Sequence, residues 1–183
     1  MSVWLTISAM VGLAVAILTQ LNARLRAEAH TDSLTGLLNR TGFAAAATRE
    51  RAMAGRRGEP LALAVIDLDD FKRVNDRGGH AAGDRLLVDL AGVWTALLRP
   101  GDLLARFGGD EFVLLLAGAG DGQVETVLAR LARAHPASWT SGAVLCTDSE
   151  SLEQAIDRAD ARLYIAKEPR RTASRDRQAI TVL

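Results

Sequence analysis

The sequence predicts an α/β sandwich built on a mixed or antiparallel sheet and preceded by an apolar N-terminal helix. Three observations lead there. Helical and extended patterns alternate along the chain. Two apolar runs, LLARF and FVLLLA, flank the turn sequence GGDE, so the sheet holds at least one hairpin and is not purely parallel. Ahead of them lies an uncharged stretch, Val3 to Leu21, of about 19 residues; at about 1.5 Å per residue it spans a hydrocarbon core of roughly 30 Å.

The apolar stretch reads VWLTISAMVGLAVAILTQL, with Trp4 suited to an interface. Arg24 and Arg26 follow it and no Lys or Arg precedes it, which orients the rest of the chain toward the cytoplasm from an inner-membrane anchor. A cleaved signal peptide would want a basic leading region and a shorter apolar core. The expected organisation is an anchor helix over 1–22, a linker helix over 23–31 and a globular domain over 32–183. Leu18, Leu21 and Leu25 continue an apolar spacing into the linker, through which two copies could pair.

HTDSLTGLLNR reads as a polar turn region, followed by a helix from about Asn39 to Ala54. RRGEP breaks that helix, and LALAVID reads as a buried strand. Ala81 to Leu98 carries Leu86, Leu87, Leu90, Val93, Trp94 and Leu97 at helical spacing. After the hairpin come a helix over Gln123–Ala134, a strand SGAVLC and a helix over Ser151–Lys167. A basic polar segment, Arg170 to Arg177, then precedes a last short strand, AITVL.

Lys+Arg and Asp+Glu each number 22, a formal charge of zero, which argues against a general nucleic-acid binder. Cys146 is the single cysteine, so no intramolecular disulfide forms; in the apolar run AVLC it reads as an inert core thiol.

The chemistry concentrates at two strand ends. In AVIDLDDFKRVND the apolar strand ends at Asp67, with Asp69 and Asp70 close behind, which suits a hard divalent cation as well as it suits a solvated loop. At the hairpin, Gly108 and Gly109 permit positive φ and close approach to the backbone, and Asp110 and Glu111 project from the tip. If the Asp67 strand lies beside the hairpin, Asp67 and Asp110 can share a metal, and two such clusters point to metal-assisted phosphoryl chemistry on a nucleotide. Lys72 could meet phosphate. Asn75 and Asp84 could read a base edge, an acid being apt for the ring N–H and amine of guanine; Asp84, after Gly83, could equally cap the helix carrying Leu86.

RFGGDEF, together with DSLTGLLNR, DLDDFKRVND, GGHAAGD and ADARLYIAK in that order, resembles the GGDEF-domain diguanylate cyclases over residues 32 to about 171. The resemblance implies a palm-like βααββαβ core that condenses two GTP into cyclic di-GMP with release of two pyrophosphates. It implies Mg²⁺, with Mn²⁺ as a substitute, held by Asp67, Asp110 and the Leu68 carbonyl. Glu111 would stand near the attacking 3′-hydroxyl as metal ligand or base. The backbone at Asp70 and Phe71, with Lys72, would meet phosphates, and Asn75 and Asp84 would read guanine. Lys167 and Arg171 match the spacing of the family's phosphate-binding Lys and Arg, although the family usually has Gly-Arg-Asn where this chain has Arg170, Arg171 and Thr172. His80 would be structural or near the substrate.

Arg99-Pro100-Gly101-Asp102 resembles the family's RxxD product-inhibition site, and also makes a helix-terminating turn. Arg130 is a candidate further arginine for the bound product. The resemblance implies a homodimer, since each domain would hold one GTP. The alternatives are a catalytically silent domain that binds cyclic di-GMP or GTP as an effector, and a different nucleotidyl cyclase.

Overall fold

Strand β1, Leu61–Leu68, is apolar on both faces because it runs through the middle of the sheet. The computed structural model describes residues 30–120 and 122–180, with side chains through Glu168, together with Ile7, Met10 and Leu13. Apart from those three residues, the expected membrane span over 3–21 therefore lies outside the described residues. Among the described residues no helix is long and apolar enough to cross a membrane.

The elements follow one another as α1 Arg40–Arg57, β1, α2 Phe71–Gly78, α3 His80–Leu97, β2 Leu103–Gly108, β3 Glu111–Ala117, α4 Gln123–Ala134, β4 Trp139–Cys146 and α5 Leu152–Ile180. The sheet order is β2-β3-β1-β4 and every neighbouring pair is antiparallel. The expected antiparallel sandwich is the observed one, and the βααββαβ order is present.

Alternation along β1 sends its side chains to two helix layers. Ala62, Ala64, Ile66 and Leu68 join Leu87, Leu90 and Trp94 of α3, Phe112 and Leu114 of β3, and Leu128 and Leu131 of α4 in one core. Leu61, Leu63 and Val65 join Phe43 and Ala47 of α1 with Ala155, Ala159 and Leu163 of α5 in the other. The same alternation puts Asp67 on the α1/α5 face.

Several boundaries differ from the sequence expectation. Asn39 is not the first helical residue but the cap of α1: its side chain accepts the Gly42 N–H at 2.9 Å. The helix runs on to Arg57 and closes at Gly58, whose φ of 63° suits a left-handed end. Asp84 caps nothing. Helix α3 starts at His80, behind Gly79 at φ 73° and ψ 170°, so Asp84 lies inside it. Helix α5 continues past Lys167, and Ala179 and Ile180 belong to it rather than to a terminal strand. A short apolar run does not by itself distinguish strand from helix, which is why AITVL misleads. Cys146 is half-buried at the end of β4, and burial pushes its thiol up.

Candidate active site

The site grows from the antiparallel pairing of β1 with β3. In that register Asp67 stands directly opposite Glu111, and the Leu68 N–H donates to the Asp110 carbonyl at 3.2 Å. The last turn of β1 is thereby tied to the hairpin tip. Between β2 and β3 the ladder shifts by one residue, and Gly108 and Gly109 take φ of 139° and 54°, which side-chain-bearing residues rarely adopt. Glycine at both positions lets the chain turn tightly enough to lay Asp110 beside Asp67.

The electrostatics record that crowding. Asp110 is held above the usual carboxylate range by burial and by the charge of Asp67. Lys167, from α5, forms an ion pair with Asp67 and counters part of this repulsion. Glu111 is also raised, by burial first; Arg40 opposes that, while Asp160, Asp67 and Asp110 add to it. Arg40 stacks on the Phe107 ring, 4.5 Å from its centroid.

Two residues that the sequence reading does not single out fix the tip. Arg106 donates through Nε and one terminal nitrogen to the Gly109 carbonyl at 3.0 and 2.8 Å. Its other terminal nitrogen donates to both oxygens of Asp32 at 3.0 and 3.1 Å. Asp32 also accepts the Thr35 hydroxyl at 2.7 Å and the Thr35 N–H at 2.9 Å. One guanidinium thus joins the turn DSLTGLLNR to the turn GGDE. The only sequence signal is a matched Asp and Arg far apart in the chain.

The remaining candidates fall into groups. Asp70 takes φ 57° at the head of α2, and Phe71 opens that helix with Lys72 exposed beside it. Asn75 on α2 packs so closely on Gly83 of α3 that a Cβ there would run into its amide oxygen; Asp84 is the next residue, so the two candidate base readers lie together. His80 is exposed at the start of α3. Asp69 does not join Asp67 and Asp70 in an acid cluster. It turns to Ser138 and Thr140 at the start of β4, at 2.8 and 2.7 Å. Arg171 lies within α5, but its side chain is outside the described residues.

Arg99 and Asp102 form the turn between α3 and β2, with the Arg99 N–H donating to the Asp102 carboxylate at 2.9 Å and the Asp102 N–H to the Arg99 carbonyl at 3.0 Å. That turn lies at the opposite end of β2 from the GGDE tip, roughly 20 Å away at about 3.3 Å per residue. Arg130 of α4 donates to the Leu97 carbonyl at 2.9 Å, which places it beside this turn.

The donor set suits a hard cation. Among the described residues no three His, Cys, Asp or Glu side chains converge on one point. Asp67, Asp110 and the Leu68 carbonyl are nevertheless oxygen donors of the kind Mg²⁺ takes, one or two carboxylates completed by substrate phosphates. The charge that Asp67 imposes on Asp110 is what such an ion would neutralise.

A family profile described as "Diguanylate cyclase, GGDEF domain" matches residues 29–173. The chain belongs to the GGDEF domain family. Diguanylate cyclase DgcP of Pseudomonas aeruginosa is 42% identical over 83% of this chain and 24% of its own length. Cyclic di-GMP phosphodiesterase NbdA of the same species is 46% identical over 55% of this chain and 13% of its own. The chain thus spans a quarter or less of these GGDEF relatives. Among solved structures, the coiled coil and GGDEF domain of DgcB from Caulobacter crescentus, in complex with c-di-GMP, superposes with a TM-score of 0.77 at 29% identity, covering 89% of this chain and 95% of that one.

Proposed function

We propose that this chain is a diguanylate cyclase that condenses two GTP into cyclic di-GMP and releases two pyrophosphates. The observation behind the reading is the β1–β3 register, which sets Asp67 opposite Glu111 and beside Asp110, at the end of the strand that leads into α2. A silent scaffold has no chemical need for acids held together against their own repulsion.

Asp67, Asp110 and the Leu68 carbonyl would hold Mg²⁺ or Mn²⁺. When bound there, the ion supplies charge neutralisation for the phosphates and lowers the pKa of the attacking 3′-hydroxyl. Lys167 is released from Asp67 to meet phosphate, with Arg171, Lys72 and the amides of Asp70 and Phe71 as further phosphate partners. Asn75 and Asp84 hold the guanine edge. Glu111 stands at the 3′-hydroxyl, where it orients the nucleophile or takes its proton.

One domain holds one GTP, and ring closure needs each 3′-hydroxyl at the other nucleotide's α-phosphate. A symmetric homodimer with antiparallel sites satisfies both attacks at once. The uncharged run over 3–21, followed by Arg24 and Arg26, supports an inner-membrane anchor with the catalytic domain in the cytoplasm. The turn at Arg99 and Asp102, far from the acids, is the candidate feedback site for cyclic di-GMP.

A second reading is a silent domain that binds cyclic di-GMP or GTP. The relative named a phosphodiesterase favours it, because such a domain also occurs beside a different activity. The two are separated by incubating the full chain in detergent with GTP and Mg²⁺ and resolving nucleotides by chromatography, beside an Asp110→Ala, Glu111→Ala control. Cyclic di-GMP from the parent alone supports the cyclase. Nucleotide binding without product, at any protein concentration, supports the silent domain.

A further inference from the structure

Hydrogen bonds converge on Asp69 from the start of β4, the strand beside β1 on the side away from the hairpin. Its N–H donates to the Ser138 carbonyl at 2.9 Å. The Ser138 hydroxyl donates to Oδ2 at 2.8 Å and the buried Thr140 hydroxyl to Oδ1 at 2.7 Å. Both carboxylate oxygens are thus engaged by the segment that leads into β4. That segment is itself braced: His135 Nδ1 accepts the Ala137 N–H at 3.0 Å, which leaves Nε2 to donate to Asp89 at 3.1 Å.

What Asp69 fastens is a strained turn. Asp70 is the one non-glycine residue with positive φ among those described, at φ 57° and ψ 24°, and its side chain makes no capping bond to α2. Asp enters the left-handed region more readily than most side-chain-bearing residues but still at a cost, which the surrounding structure has to meet. On one flank the hold is the Leu68 N–H on the Asp110 carbonyl; on the other it is Asp69 on Ser138 and Thr140. The turn so held presents the Leu68 carbonyl, the Asp70 and Phe71 amides and the start of α2.

We infer that Asp69 is a positioning residue for the bound nucleotide: its clamp on Ser138 and Thr140 keeps the Leu68–Phe71 turn in the form that receives the metal-bound triphosphate. The inference rests on the nucleotide reading above. It assigns Asp69 a role apart from its neighbours Asp67 and Asp70. It also explains the carboxylate. Alanine would lose both links, whereas asparagine keeps one acceptor for Thr140 and can donate its amide to the Ser138 oxygen.

The test uses the full chain in detergent and four variants, Asp69→Ala, Asp69→Asn, Ser138→Ala and Thr140→Val. Three quantities are read: affinity for a non-hydrolysable GTP analogue with Mg²⁺ and with chelator, amide hydrogen exchange across residues 67–73, and melting temperature. Asp69→Ala is expected to weaken binding with Mg²⁺ by about tenfold and to speed exchange across the turn, while its melting temperature stays close to the parent's. Asp69→Asn should recover most of the affinity, and Ser138→Ala and Thr140→Val, each losing one of the two links, should weaken binding less than Asp69→Ala. Parental affinity in Asp69→Ala overturns the inference, as does a loss of affinity that simply tracks melting temperature across the set. A parent that binds the analogue but forms no cyclic di-GMP defeats the cyclase reading and leaves the clamp to be decided by the binding data. A parent that binds no guanine nucleotide defeats both.

Discussion

Lys167 of α5 forms an ion pair with Asp67 at the end of β1, each about a quarter exposed (25% and 26%). The pair follows from alternation: Asp67 faces the α1/α5 side, and α5 crosses that side over Ala159 and Leu163. The ammonium therefore occupies the place a divalent cation would contest, and on the cyclase reading it would turn to a phosphate when nucleotide and metal bind. Lys167→Met should raise the KM for GTP by about ten- to a hundredfold, the span of one charge-assisted hydrogen bond. Lys167→Arg should fall between variant and parent. Steady-state cyclic di-GMP formation measures both, and an unchanged KM in Lys167→Met would remove Lys167 from the phosphate contacts.

The repulsion between Asp67 and Asp110 makes a second prediction, in which stability and activity move in opposite directions. Without metal, Asp110→Asn removes a charge that burial and Asp67 both penalise. In chelator the variant should melt at or above the parent's temperature. Added Mg²⁺ should stabilise the parent and leave the variant unmoved, and cyclic di-GMP formation should fall by about a thousandfold or more. A variant that melts well below the parent in chelator would show that Asp110 is a structural acid.

Much of this site is legible in the residues themselves. Gly108 and Gly109 between two apolar runs can only turn, so Asp110 and Glu111 are bound to sit at a hairpin tip. Asp67 ends a run buried on both faces, so it has to emerge at a strand end. What local pattern cannot show is pairing across the chain. Arg106 and Asp32 stand 74 positions apart and nothing near either one announces the other. Asp69 looks like a third ligand beside Asp67 and Asp70, until β4 brings the hydroxyls of Ser138 and Thr140 to it. Asp84 reads as a cap because Gly83 precedes it; the actual break is Gly79, and Gly83 serves a close contact instead.

The Arg106–Asp32 pair should show in acid. Burial pushes the Asp32 carboxyl up, but the Thr35 hydroxyl and N–H and the Arg106 guanidinium together bring it below the usual range. A folded-state pKa below the unfolded value of about 3.9 gives stability that is complete above roughly pH 4 and is lost as pH falls through the folded value. Asp32→Asn should flatten the acid limb of a stability-against-pH curve taken between about pH 2 and 7. Arg106→Ala leaves a largely buried carboxylate without its guanidinium partner and should cost about 1–3 kcal/mol at neutral pH, read by denaturant unfolding. Identical acid limbs for parent and Asp32→Asn would show that the pair contributes nothing through this titration.

Gly83 separates a helix effect from a site effect. In the interior of α3, alanine ordinarily gains up to about 1 kcal/mol over glycine. Here its Cβ would collide with the Asn75 amide oxygen and crowd the Phe71 ring, at 3.0 Å from Cζ. The amide is the end of a side chain and can swing away, so the clash should be relieved by displacing Asn75 rather than by parting α2 from α3. Gly83→Ala should therefore keep a stability within about 1–2 kcal/mol of the parent, as gain and crowding offset each other. If Asn75 meets the guanine edge as proposed, the affinity for a GTP analogue should drop about tenfold once Asn75 is displaced. In an Asn75→Ala background the clash is gone, and Gly83→Ala should become stabilising while lowering affinity no further. An affinity loss from Gly83→Ala that persists undiminished in that background would mean that the close contact does not act through Asn75.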